Sequence, residues 1–116
     1  MSKSNAGAQA ELLAADYLQR RGLLPVETNY RCRFGEIDLI CRDRDTLVFV
    51  EVRLRGTEAF GGAGASITAR KQHRLVLAAR HYLQKLRTLP ACRFDVVLLR
   101  SLRDNDIEWI RNAFGE

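Results

Sequence analysis

The chain has 116 residues, 47% of them hydrophobic and 28% charged, and a formal net charge of +5. That length suits one packed core, and the composition excludes collagen-like, low-complexity and repeat architectures. No window approaches the roughly 18–20 uninterrupted apolar residues of a membrane span, and the start "MSKSNAGAQAELLAADYL" lacks the apolar run of a signal peptide.

The elements read in chain order as α-β-β-β-α-β-β. Residues 5 to 21 have helical periodicity. Asn5 or Ser4 can cap this helix, Ala8, Leu12, Ala15 and Leu18 make its expected apolar stripe, and Gly22 is placed to end it. "LLPVETNYRC" is a first strand, "GEIDLICR" a second entered through Gly35, "DRDT" a turn, and "LVFVEVRL" a third strand. Residues 55–66, "RGTEAFGGAGAS", carry four glycines in twelve positions and read as a mobile loop. The loop does not match GxxxxGK[ST], so a nucleotide-cradling role is not supported. Ser66 or Thr68 then caps a second helix that ends near Arg87, with an apolar stripe through Leu75, Val76, Ala79, Tyr82, Leu83 and Leu86. "RFDVVLLR" and "IEWIR" are the fourth and fifth strands, turned by "DND". The expectation is a single α/β domain over residues 1–116, a mixed sheet flanked by helices.

Sixteen of the nineteen basic residues are Arg, whose planar fork suits bidentate phosphate contacts. A basic balance of this kind favours an anionic partner, and nucleic acid is the commonest large one. An Arg-rich solvated surface is the plainer explanation. The three cysteines, Cys32, Cys41 and Cys92, are odd in number and form no CxxC. They are expected as reduced core thiols of a cytoplasmic protein.

Inside the third strand, Glu51 and Arg53 interrupt an otherwise buried run, on the same face as Leu47 and Phe49. A two-residue hairpin loop at Arg44-Asp45 sets Asp43 against Thr46, Asp38 against Glu51 and Glu36 against Arg53. Two carboxylates opposed across a strand pair repel each other, and partial burial demands a proton or a cation between them. Oxygen ligands with open positions suit Mg²⁺ or Mn²⁺, which keep waters and bind phosphates. Such an ion polarises a phosphodiester. The bland alternative is a cross-strand network, Glu36 with Arg53 and Asp38 with another arginine, which contributes little when exposed. Spacing alone does not choose between them.

Asp38, followed thirteen residues later by Glu51-x-Arg53, resembles the PD-(D/E)xK nuclease signature. More closely, "GEIDLICRDRDTLVFVEVRLR", "SITARKQHRLVLAARHYL", "RFDVVLL" and the terminal "NAF" resemble the YraN family of small endonuclease-like proteins, over nearly the whole chain. The resemblance implies a restriction-endonuclease-like fold, metal on Asp38 and Glu51, and hydrolysis of DNA, with branched or structured DNA suggested by similarity to Holliday-junction resolvases. Some resolvases add a glutamate from the first helix, and Glu11, on the edge of the expected apolar stripe, is the matching position, with a solvated helix charge as its alternative. Cleavage of two strands would favour a homodimer. The family's lysine two residues after the glutamate is Arg53 here. Guanidinium stays protonated and cannot act as a base, although it can hold phosphate. Lys71, which opens the second helix, is a second source for the missing ammonium, with an ordinary first-turn charge as its alternative.

The implied catalytic set is therefore Glu11, Asp38, Glu51, Arg53 and Lys71. Arg31, Arg33, Arg42, Arg55, Arg70, Arg74 and Gln72 are the expected phosphate-contacting set. His73 and His81 are expected as solvated side chains, and Trp109 and Phe114 as core or partner contacts. Three readings stand: a metal-dependent nuclease, a nucleic-acid-binding protein of the same fold that Arg53 leaves without efficient cleavage, and a protein-interaction module with structural carboxylates.

Overall fold

The computed structural model describes residues 5–54, 67–103 and 106–115. Arg55, Ser66, the glycine-rich stretch between them and most of the "DND" turn lie outside the described residues. The elements are α1 (Asn5–Arg20), β1 (Leu24–Cys32), β2 (Gly35–Asp43), β3 (Thr46–Leu54), α2 (Ala69–Leu83), β4 (Ala91–Leu99) and β5 (Ile107–Phe114). Five strands form one mixed sheet in chain order: β3 and β4 run parallel and every other neighbouring pair is antiparallel. The parallel pair needs a long crossover, which α2 supplies. Among the described residues no helix is long and apolar enough to cross a membrane.

A helix covers each face. Ala10, Ala14 and Leu18 of α1 pack with Leu39, Cys41, Val48, Val50, Val97 and Leu99. On the other face Leu75, Val76, Ala79 and Tyr82 of α2 pack with Ile40, Leu47, Phe49 and Phe94. Strand alternation sorts β3 as expected, with Val48 and Val50 under α1 and Leu47 and Phe49 under α2.

Of the expected core thiols only Cys41 is buried, with Cys32 half-buried and Cys92 exposed on the first residues of β4. Three expectations about the elements also change. First, α1 is rotated from its predicted stripe: Leu12 is 72% exposed while Glu11 is turned inward at 9%. An amphipathic reading puts the leucine inside and the charge outside; here the cleft described below takes the carboxylate instead. Second, α2 gives way before Arg87, because Lys85 and Leu86 donate to carbonyls three residues back, the tighter turn common at helix ends. Third, β5 continues past Arg111 to Phe114, whose ring stacks on Phe94 at 4.9 Å.

Both edge strands are irregular. β1 carries Pro25, a register shift between Pro25 and Glu27, and Asn29 at φ 52°. β5 has Asn112 at φ 51°, opposite a register shift between Phe94 and Val96. The N–H of Asn112 that this irregularity leaves over is taken by Asp95 Oδ1 at 2.9 Å. Asp95 is fully buried in an apolar strand, and it is tolerated because it also accepts from the Trp109 indole at 2.9 Å and from Arg93 Nε at 3.0 Å. Arg93 in turn reaches Asp43 at 2.9 Å, tying β2, β4 and β5 together.

Candidate active site

The predicted register of β2 on β3 is present: paired positions run from Asp43–Thr46 to Leu39–Val50. Arg44, at φ 58°, takes the left-handed conformation needed at the first position of the two-residue loop. Beyond Leu39–Val50 the ladder changes character. The Val52 N–H is accepted by Asp38 Oδ2 at 2.9 Å, a side chain standing where a strand carbonyl would serve. This opens a cleft of about 730 Å³ at the sheet end. Ala6, Gly7, Ala10 and Glu11 of α1 form one wall, and Lys71, Arg74 and Leu75 of α2 another. Gly35, at φ 149°, starts the floor in a conformation costly to other residues.

Four carboxylates line this cleft, Glu11, Glu36, Asp38 and Glu51, and three of them are buried: Glu11 at 9% exposure, Asp38 at 7% and Glu51 at 5%. Four cations share the lining, Arg31, Arg53, Lys71 and Arg74, and two of them approach Glu51. Lys71 Nζ lies 3.4 Å from Glu51 Oε2 and Arg53 Nη1 lies 3.6 Å from the same oxygen. Lys71 is held at the helix start by the Thr68 cap, whose hydroxyl accepts the Lys71 backbone N–H at 3.1 Å. The net effect on Glu51 is a carboxyl pushed up to about 7, because burial and the charge of Asp38 outweigh Lys71 and Arg53. The pair is under electrostatic load that two nearby cations do not fully relieve.

The expected phosphate-contacting residues divide. Arg31 and Arg74 line the cleft with Arg53. Arg33 is exposed, its guanidinium 4.9 Å over the Phe34 ring, and Arg70 is exposed in the first turn of α2. Arg42 stands opposite Leu24 and Leu47, at the hairpin end of β2. Four residues of strand, about 13 Å, separate it from Asp38. Gln72 donates its amide to the Ile67 carbonyl at 2.8 Å, bracing the chain that enters α2. Glu36, expected across from Arg53, lies beyond the last β2–β3 pair; on its other side it is paired in register with Arg31 of β1 and lies 3.5 Å from its Nε.

His81 departs from a solvated role: its Nδ1 is hydrogen-bonded to the Tyr30 hydroxyl in a partly buried contact. The Asp95–Arg93–Asp43 network went unread in the sequence, although an aspartate inside "RFDVVLL" was the available signal. Among the described residues no three acidic, histidine or cysteine side chains converge as a metal-holding group. An ion here would therefore rest on Asp38 and Glu51 and keep solvent on its remaining positions.

A family model described as "Uncharacterised protein family UPF0102" matches residues 10–99, from the inward face of α1 through the end of β4. The chain belongs to the UPF0102 family. It is 59% identical over 115 residues to a UPF0102 protein of Nitrosomonas europaea, covering 99% of this chain and 98% of the relative. A UPF0102 protein of Nitrosospira multiformis is 62% identical over 108 residues, covering 93% and 91%. One from Cupriavidus taiwanensis is 58% identical over 114 residues, covering 97% and 85%. Glu11, Asp38, Glu51, Arg53 and Lys71 all lie within the part of the chain matched by the UPF0102 model.

Proposed function

We propose that this UPF0102 chain is a metal-dependent nuclease that hydrolyses phosphodiester bonds in DNA, with branched or structured DNA as the preferred class. The observation that carries the reading is the buried pair Asp38 and Glu51, set with Lys71 and Arg53 in one cleft. The resemblance of Asp38 and Glu51-x-Arg53 to the PD-(D/E)xK signature supports the same reading.

The donor set suits Mg²⁺ or Mn²⁺: two carboxylates under mutual repulsion, oxygen-only and without a closed cage. When bound, such an ion would polarise the phosphodiester and lower the pKa of a coordinated water. Asp38 and Glu51 would hold it. Glu11, on the α1 wall of the same cleft, would take a water at its rim. Lys71 supplies an ammonium beside Glu51, able to neutralise charge developing on a phosphate oxygen. Arg31, Arg53 and Arg74 would hold the flanking phosphates, as guanidinium forks do.

A second reading, binding without efficient cleavage, is favoured by Arg53 itself. It occupies the position of the superfamily lysine and cannot deprotonate a water. The discriminating experiment incubates wild type, Glu51→Gln and Arg53→Lys with labelled linear and four-way-junction DNA in Mg²⁺ and in Mn²⁺, with binding measured in parallel. Cleavage by wild type that is lost in Glu51→Gln supports the nuclease. Cleavage by Arg53→Lys alone, or salt-sensitive binding with no cleavage, supports the second reading. Neither cleavage nor binding by any form would overturn both.

A further inference from the structure

At the opposite end of β3 from the carboxylates lies a second cleft, of about 580 Å³, lined by Arg21, Leu23, Asp43, Arg44, Asp45, Thr46 and Arg111. Thr46 and Glu51 are five residues apart on one strand, about 17 Å. The two clefts are thus separate places, and none of the three arginines here belongs to the phosphate-contacting set expected from the sequence.

Three guanidiniums converge on this cleft, and none of them forms an ion pair with a described residue. Two carboxylates share the lining, but one is spoken for: Asp43 Oδ2 accepts from Arg93 Nη1 at 2.9 Å. Three guanidiniums thus meet Asp45 and an Asp43 already bonded to a fourth arginine, which leaves the lining net positive. Like charges gathered around a concavity raise the local concentration of anions.

The geometry makes these cations more specific than a solvated patch. Arg21 Cζ lies 3.6 Å from the centroid of the Tyr17 ring, and its Nη1 donates to the Tyr17 carbonyl at 3.3 Å. Arg111 Cζ lies 4.1 Å from the centroid of the Trp109 ring. Trp109 is itself fixed by its indole bond to Asp95. Stacking covers one flat face of each guanidinium and leaves the in-plane N–H groups to point outward, which is how arginine presents a bidentate fork. Arg44 is fixed from the other direction, by the left-handed backbone of its two-residue turn. Thr46 adds a hydroxyl to the same lining.

We infer that the cleft formed by Arg21, Arg44, Thr46 and Arg111 is a phosphate-binding site, distinct from the carboxylate cleft. A phosphate group matches it on charge and on donor geometry, since tetrahedral oxygens accept paired N–H groups from more than one arginine. Two sources supply that chemistry. One is a backbone phosphate of a nucleic acid that extends beyond the carboxylate cleft, and this source rests on the nuclease reading. The other is a free phosphate monoester or inorganic phosphate, which does not.

The test is a ¹H–¹⁵N titration of the whole chain, first with inorganic phosphate and separately with a short DNA duplex, for wild type and for the double variant Arg44→Gln/Arg111→Gln. Both positions are exposed, so the variant keeps its fold, and an unchanged spectrum elsewhere checks this. The expected result is saturable movement of the Arg44 and Thr46 amides and the Trp109 indole with phosphate, lost in the double variant. If the duplex moves the same signals, the source is nucleic acid, and the salt slope of DNA affinity should fall by about one for each arginine removed. If phosphate moves them and the duplex does not, the ligand is a free phosphate, and the site stands whether or not the nuclease reading does. The inference is overturned if neither ligand moves these signals, or if the double variant responds like wild type.

Discussion

Glu51→Gln should make the metal-free protein more stable above neutral pH. In the folded chain the Glu51 carboxyl is pushed up to about 7 from 4.5, first by burial and then by Asp38. The unfolded chain therefore gives up this proton near pH 4.5 while the folded chain keeps it until about 7. A group raised in this way contributes fully below its unfolded pKa, and its contribution is lost as pH rises through the folded one. That displacement, at about 1.4 kcal/mol per pH unit, corresponds to roughly 3 kcal/mol lost in the wild type by mildly alkaline pH. Gln preserves the side-chain volume and removes the ionisation, but it also gives up the charge contacts with Lys71 and Arg53. We expect a net gain of about 2 kcal/mol, or about 8 °C in Tm for a domain of this size. Thermal melts followed by circular dichroism, in chelator, near pH 5 and near pH 8, measure it. The gain should be present at the higher pH and nearly absent at the lower. A variant that melts at or below wild type near pH 8, or one with the same offset at both values, would refute the claim that Glu51 is held under electrostatic load.

Mg²⁺ or Mn²⁺ should raise the wild-type Tm by the usual linkage of ligand binding to folding, and Asp38→Asn should abolish that rise; a metal-induced increase that survives the substitution would remove Asp38 from the ligand set. Arg93→Met should cost about 3–5 kcal/mol in urea denaturation, since it leaves the fully buried Asp95 short of its ion partner. A loss under about 1 kcal/mol would mean that Trp109 and Asn112 alone satisfy the carboxylate. Lys71→Ala should lower cleavage by at least about tenfold while leaving the melting curve near wild type, since its ammonium is half exposed; unchanged cleavage would assign it to the helix start alone.

Much of this fold was legible because its elements are punctuated locally. Gly35, the Arg44-Asp45 turn and the Thr68 cap each mark a boundary, and the two-residue loop fixed which side chains of β2 and β3 meet. That register was enough to bring Asp38 near Glu51 on paper. The sheet order was not legible, because β4 joins β3 across a crossover whose partner strand no local pattern names. Nor was the orientation of α1. Periodicity assigned Leu12 to the core, and only the carboxylate-lined cleft explains why Glu11 occupies the inward position. The second neighbour of Glu36 was equally hidden: the β2–β3 hairpin names Arg53, and Arg31 comes from β1 on the other side. Asp95 is the plainest miss, for its donors come from Arg93 beside it and from β5, fourteen and more residues away.

The irregular margins of the sheet bear on how this chain can meet a copy of itself. A flat outer strand offers a row of free amides and carbonyls that a second sheet can extend, the common route to continuous sheets and to fibres. β1 answers with a proline, a bulge and a left-handed asparagine, and β5 with a register shift and a left-handed asparagine of its own. Each border is therefore interrupted part-way along its length, and a neighbouring sheet that added to it would have to follow the bulge as well as the strand.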